Sequence, residues 1–240
     1  MFSPEITAFW QAPFHGETIR GTDNFTVTIN PTLAPDRPVE VLTRHDGTVA
    51  AVVTVEVAAR LGLPSGAQLD AGTFREGLAH ASLELYDPDC LFYFTDEATA
   101  ELWDESTPEE VRQLTSDDAD LFSRFTATAS AADLDEAYVE LDHWAVFGAL
   151  AENRLACVAS AYPWREGKLA DIGVLTLPQF RGRGLARNVV RSISRHAYSR
   201  GFQPQYRCQP SNAGSRAVAA AAGLTYFGLW EVVLQTPEDA

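Results

Sequence analysis

The sequence of 240 residues predicts an α/β protein in two parts, a smaller N-terminal α/β domain over residues 1–106 and a larger domain over residues 107–240. Three observations carry that prediction. Beyond residue 106, alternating and helically spaced apolar stretches follow one another in the order β-α-α-β-β-β-α-β-α-β. Before it, residues 95–110 turn acidic and polar, from Asp96-Glu97 through Asp104-Glu105 to Glu109-Glu110, as linkers between domains do. Finally, a strand-like stretch ending at Pro178 feeds through two glycines into an arginine-rich helix.

Taken in order, the first 20 residues hold Pro4, Pro13 and Gly16 around a short apolar piece and read as an irregular segment draped over something larger. Residues 25–29 alternate as a strand, and residues 39–43 and 49–53 form a hairpin about His45-Asp46-Gly47. Val55, Ala58, Ala59, Leu61 and Leu63 fall at helical spacings until Gly62 to Pro64 stop them. A second helix is expected over residues 73–82 and a buried strand over 90–94.

In the larger part, residues 111–115 read as a strand and Ser116 as the N-cap of a helix reaching about Ala129. Residues 133–141 give another helix, and residues 144–150 and 155–162 a hairpin about Ala151-Glu152-Asn153-Arg154. A strand over 169–177 precedes the long helix, which ends near Arg200 under a Gly201 cap. A strand over 205–209, a helix over 212–222 closed by Gly223, and a strand over 225–234 complete the chain, and no internal repeat is evident.

Composition limits the function. Eighteen basic residues against 33 acidic ones give a net charge of -15, which repels nucleic acid and anionic lipid. No stretch approaches the roughly 18 apolar residues of a membrane span, and Met1-Phe2-Ser3-Pro4-Glu5 lacks the regions of a signal peptide, so a cytoplasmic location is expected. Cys90, Cys157 and Cys208 are too scattered for a disulfide framework or a metal site and are expected as reduced core residues.

The segment that carries chemistry is Pro178-Gln179-Phe180-Arg181-Gly182-Arg183-Gly184-Leu185-Ala186-Arg187. A strand entering a helix through glycines exposes unpaired amides at the positive end of the helix dipole, where an anion can sit. Arg183, Arg187, Arg191 and Arg195 recur every four residues on one face of that helix, with Leu185, Val189, Ile193 and Ala197 on the other. In so acidic a chain this clustering is read as a response to a local anionic partner rather than as a solvated face. The turn lacks the Gly-Lys-Ser/Thr of a P-loop, and Arg187 stands where a dinucleotide fingerprint needs its third glycine.

The segment resembles the acyl-CoA-binding motif of the GNAT N-acetyltransferases, Arg/Gln-x-x-Gly-x-Gly/Ala, met by Arg181, Gly184 and Ala186. Val174-Leu175-Thr176-Leu177-Pro178 is similar to that family's fourth strand, and Asn212-x-x-Ser215 with Gly223-Leu224 to its last helix, so the resemblance covers roughly residues 109–235. It implies a mixed, mostly antiparallel sheet flanked by helices, and an N-acetyltransferase that moves the acetyl group of acetyl-CoA to a primary amine.

Residue by residue, the resemblance implies that the backbone of Leu175 and Thr176 pairs with the pantetheine arm. The amides of Gly182, Arg183, Gly184, Leu185, Ala186 and Arg187 would take the diphosphate, with Arg181 or Arg183 as a side-chain contact. Asn212 and Ser215 would meet the pantetheine or phosphate region, although Asn212 reads equally as a helix N-cap. Asp171 lies near the strand-four carboxylate that many members use as a base, and Glu140, Asp142 and His143 form an alternative cluster facing the acceptor. One departure is plain: where many members place a tyrosine to protonate the leaving thiolate, this chain has Ala219.

The expected partners are a small-molecule amine and, through the N-terminal part, a second copy of the chain. That part has no glycine cradle and is read as shaping the acceptor pocket or a dimer contact. Two other readings stand beside the enzyme: a CoA-binding regulatory module that has lost catalysis, and a binding protein for another anion.

Overall fold

The computed structural model describes residues 1–22, 24–63 and 69–234, and over these the alternating stretches are strands and the helically spaced ones helices. The first 20 residues are more regular than expected. They contain α1 (Pro4–Gln11) and β1 (Glu17–Arg20). Pro4 opens α1 where its missing N–H costs nothing, and Ile6 and Trp10, one turn apart, are both buried. β2 (Phe25–Ile29), β3 (Val39–Arg44) and β4 (Val49–Val53) follow as read. α2 (Val55–Arg60) is capped by the Thr54 side chain and α3 (Ala71–His80) by Asp70, while Pro64, expected as a helix stop, lies outside the described residues. β5 is Asp89–Tyr93.

The acidic run expected as a linker is instead α4 (Asp96–Asp104). The Thr95 hydroxyl accepts from the Ala98 amide, and Asp96 and Glu97 sit in the first turn where the helix dipole favours negative charge. Leu102 is its buried anchor. After β6 (Val111–Gln113), Ser116 is not the cap: the Thr115 side chain caps a short 3-10 turn that precedes α5 (Ala119–Thr126). α6 (Ala131–Ala137) starts at Ser130 and stops at Tyr138, whose left-handed φ of 47° ends it before the expected Leu141.

β7 (Ala145–Ala151) and β8 (Arg154–Trp164) meet through Glu152 and Asn153 at φ 53° and 58°, the conformation a two-residue hairpin loop requires. β9 (Leu169–Thr176), α7 (Leu185–Ser199), β10 (Gln203–Cys208), α8 (Ala213–Ala222) and β11 (Thr225–Val233) complete the order.

The chain packs as two compact units, neither of them one continuous stretch. Met1–Ile6, Phe92–Cys208 and Asn212–Thr225 form the first; Thr7–Leu91, Gln209–Ser211 and the described residues from Tyr226 on form the second. Packing therefore does not divide at residue 106, because α4 belongs with the larger unit. In that unit β9 runs parallel to β10 and antiparallel to β8, which pairs antiparallel with β7, and β7 with β6. α7 packs on β7 to β10, α5 on β8 and α6 on β9. In the smaller unit β2 is antiparallel to β1 and parallel to β4, β4 is antiparallel to β3, and β3 to β11. Its core is built from Val27, Val41, Val53 and Phe25 with Val57, Phe74 and Leu78 of the two helices.

Candidate functional site

The site begins where two strands separate. β9 and β10 pair from Leu169↔Gln203 to Ile172↔Tyr206, but β9 continues to Thr176 and β10 to Cys208 without further pairing to each other. Residues 173–176 keep β8 as their neighbour on the other edge, Gly173 opposite Ser160 and Thr176 opposite Cys157. A cavity of about 580 Å³ opens in the gap. Ten residues singled out by sequence line it: Leu175, Thr176, Arg181, Gly182, Gly184, Leu185, Ala186, Arg187, Asn212 and Ser215.

The floor of the turn is a 3-10 turn at Pro178–Phe180, pinned by the buried Phe180 ring. Gly182 and Gly184 follow at φ 76° and 77°, which L side chains adopt only under strain. A Cβ built on either meets no atom within 4 Å, so the backbone conformation requires glycine and leaves open ground above it. Gly184 is the N-cap of α7, and the Leu185, Ala186 and Arg187 amides have no carbonyl one turn earlier in the helix to receive them. Donors, dipole and free space together fit a diphosphate.

The arginine stripe is used differently from expectation. Arg187 and Arg191 both donate to Glu105 just after α4, at 2.8 Å for Arg187 Nη2, and Arg195 donates to the Glu105 carbonyl and, at 2.6 Å, to the Thr107 hydroxyl. Arg191 is buried and also bonds the Ala222 carbonyl at 2.7 Å, tying α7 to the end of α8. Burial opposes ionisation of Glu105, but the bonds from Arg191 and Arg187 outweigh it and hold its pKa low. The anionic partner of this face is thus largely the protein's own carboxylate. Arg183 also departs from expectation, for it is absent from the cavity lining. Its guanidinium lies 5.0 Å over the Phe180 ring, donates to the Gln179 carbonyl at 3.3 Å and stands 3.7 Å from Glu152.

Two polar side chains of the cavity, Arg181 and Asn212, are engaged from α6. Arg181 donates to the Thr176 carbonyl at 3.1 Å through Nε and to Asp133 at 3.3 Å through Nη2. The Asn212 side chain caps α8 through the Ser215 amide at 2.8 Å and donates to Glu136.

Asp171 is neither a solvated carboxylate nor placed to act as a base. It is 6% exposed and accepts four hydrogen bonds. Gln205 Nε2 at 2.9 Å and Arg207 Nε at 3.0 Å reach Oδ1, while the Tyr162 hydroxyl at 3.0 Å and Arg207 Nη2 at 2.8 Å reach Oδ2. Those four bonds fill the lone pairs a base needs, so its work is to fix Tyr162 and Arg207. Tyr93 extends the network by donating to Gln205.

Beside this network stands the second candidate cluster. His143 Nδ1 lies 2.8 Å from the buried Ser160 hydroxyl, its Nε2 lies 3.6 Å from Glu140, and its ring is 5.0 Å from those of both Tyr138 and Tyr162. Burial lowers the His143 pKa against the opposing pull of Glu140 and Asp142, so the imidazole is neutral near pH 7. A neutral ring held by one nitrogen and facing a half-exposed carboxylate with the other can accept a proton.

Ala219 is fully buried and contributes no functional group. A phenol reaches the cavity from elsewhere: Tyr206, on the strand where the gap opens, lines it and lies 2.7 Å from the Ser215 hydroxyl. Burial raises its pKa, so it stays protonated. Sequence reasoning passed over Tyr206, although alternation along residues 205–209 already placed it on the face opposite Gln205 and Arg207. Tyr138, Tyr162 and Arg207 carried no signal at all.

All three cysteines are buried, and burial pushes the Cys157 thiol up to about 12. Among the described residues no group of three or more His, Cys, Asp or Glu is placed to hold a metal, and no helix is long and apolar enough to cross a membrane.

Comparison with known proteins places this architecture. No curated protein matches the chain. Among solved structures it is similar to a GNAT-family acetyltransferase from Novosphingobium aromaticivorans, at 21% identity over 64% of this chain and 66% of that one, with a TM-score of 0.44. A GNAT-family acetyltransferase from Colwellia psychrerythraea shares 17% identity over 71% of this chain and 63% of that one, with a TM-score of 0.49. The chain thus spans just under two thirds of the length of each. The aminoglycoside N-acetyltransferase AAC(6')-Iy, solved with CoA, shares 24% identity over 47% of this chain and 89% of its own, with a TM-score of 0.37. The GNAT acetyltransferase family model matches residues 94–232, which take in α4, the parted strands and the glycine turn. Because that match spans more than half of its length, the chain belongs to the GNAT acetyltransferase family.

Proposed function

We propose that the chain is an N-acetyltransferase that moves an acetyl group from acetyl-CoA to a primary amine of a small molecule, both bound together. The observation that carries this reading is the gap between β9 and β10 ending on a two-glycine turn at the N-terminus of α7. Acetyl-CoA supplies the activated thioester. The chain's own part is to bind, orient and move protons.

The turn amides from Gly182 to Arg187 hold the diphosphate, and Arg181 and Asn212 flank them. The edge of β9 at Leu175 and Thr176, beyond its pairing with β10, orients the pantetheine arm. His143 removes a proton from the acceptor ammonium, directly or through water, and Glu140 draws a cationic amine toward it. Tyr206 holds a proton at its phenolic oxygen for the departing sulfur, with Ser215 fixing the hydroxyl. Asp171 positions Tyr162 and Arg207 and takes no proton itself.

Gly184→Glu tests the cradle. The positive φ costs about 1–2 kcal/mol for a non-glycine residue, and no atom obstructs the side chain, so the fold survives. A carboxylate among the amides competes with the phosphate, and CoA affinity measured by calorimetry falls at least about tenfold. A folded variant with wild-type affinity removes the cradle and the enzyme reading with it.

A further inference from the structure

The two groups best placed to grip the cofactor are already bonded to carboxylates of the chain. Asp133 and Glu136, three residues apart on α6, project along one face of that helix. Asp133 accepts from Arg181 at the glycine turn, and Glu136 accepts from Asn212 at the N-cap of α8. Both carboxylates line the same cavity as their partners. Arg181 is further tied by its Nε to the Thr176 carbonyl, on the very edge of β9 that the gap exposes. One short helix therefore reaches two borders of the cleft, the turn before α7 and the start of α8.

We infer that Asp133 and Glu136 form a latch that competes with CoA for Arg181 and Asn212 and lowers the affinity for it. The inference rests on the assignment of the cleft to CoA. Its physical basis is competition: an incoming diphosphate must draw Arg181 from Asp133 and leave both carboxylates facing a polyanion. Asp133 is 30% exposed and Arg181 54%, so the pair is screened and releases readily. A firm grip on CoA would slow release of the product, which carries the same diphosphate as the cosubstrate, and two weak internal rivals loosen that grip without removing any donor.

The test is the double variant Asp133→Asn with Glu136→Gln, which keeps the shape of both side chains and removes both charges. The readout is CoA affinity by calorimetry at low ionic strength, without an acceptor. The exposed Asp133–Arg181 ion pair and the Glu136–Asn212 hydrogen bond together count for about two- to thirtyfold in affinity, so the double variant binds CoA more tightly by that factor. Asp135→Asn is the control, since Asp135 lies on the same helix, is exposed and lines no part of the cavity. It removes one like charge and changes affinity less than twofold. Equal tightening in the control reduces the effect to general charge and overturns the latch. Unchanged or weaker binding in the double variant, with normal binding by the parent, overturns the latch and leaves the cofactor assignment standing. Absence of CoA binding by the parent overturns the cofactor assignment, and the latch falls with it.

Discussion

Glu105→Gln is the most informative perturbation of the fold, because one carboxylate neutralises two arginines that the sequence offered to a ligand. Its bonds to Arg187 and Arg191 join α4 to α7, and Arg191 cannot turn to water: its side chain is 9% exposed, against 31% for Glu105 and 38% for Arg187. Breaking a fully buried pair costs about 3–5 kcal/mol, whereas an exposed pair is worth about 0.2–1 kcal/mol. Glu105 lies between these limits, and Arg191 keeps its bond to the Ala222 carbonyl, which sets the loss at about 2–3 kcal/mol. For a chain of this length that lowers the melting temperature by roughly 4–12 °C. Paired urea and thermal denaturation of the variant and parent measure it at pH 7. The pH dependence has a definite sign. The folded pKa of Glu105 is depressed, so its contribution is complete above the unfolded value of about 4.3 and fades as the pH falls from there through the lower folded value. The gap between parent and variant therefore closes in acid. A difference under about 0.5 kcal/mol at pH 7, or one that widens below pH 4, refutes the claim that this carboxylate satisfies the buried cation.

Other expectations concern the site. Asp171→Asn removes the counter-charge of Arg207 and an acceptor of Tyr162, so it lowers stability by about 2–4 kcal/mol as well as turnover; a stable variant with only turnover impaired would restore Asp171 as a base. His143→Gln slows thiol release from acetyl-CoA at saturating amine by about 10²-fold or more with CoA affinity unchanged. Because burial lowers its pKa, the acid limb of the parent kcat/KM profile lies below 6.5 and disappears in the variant; a persisting limb assigns the base elsewhere. Tyr206→Phe retains the ring and lowers kcat about tenfold or more while leaving CoA affinity within twofold, and an unchanged kcat leaves solvent as the proton source.

Much of the larger unit was legible because its signals are local. Alternation located β7 to β11 within a few residues, and glycine at positions 201 and 223 marked two helix ends through backbone conformation alone. The turn at 182–187 was legible for the same reason: two glycines after a proline can hardly do anything else at the start of a helix. What failed depended on partners distant in sequence. Residues 95–110 looked like a linker because their charges are many, yet Thr95 caps a helix there and Glu105 finds arginines more than 80 residues away. Asp171 carried the right residue type at a plausible position, but its four donors come from β8 and β10, which no local pattern reveals. The irregular reading of the first 20 residues failed because a helix of two turns offers too short a period to recognise.

One contact constrains how such a chain can diversify. A Cβ at Gly173 would stand 2.0 Å from the Ala137 carbonyl, so the end of α6 rests directly on the backbone of β9. Position 173 is thereby closed to every other amino acid unless helix and strand move apart, and such movement would reshape the cavity that both line. Glu140, three residues beyond Ala137, is exposed and has no such backbone contact, whereas Tyr138 combines a left-handed backbone with ring contacts to His143 and Tyr162. Change is therefore easier at exposed positions such as Glu140 than at the seam, which stays frozen.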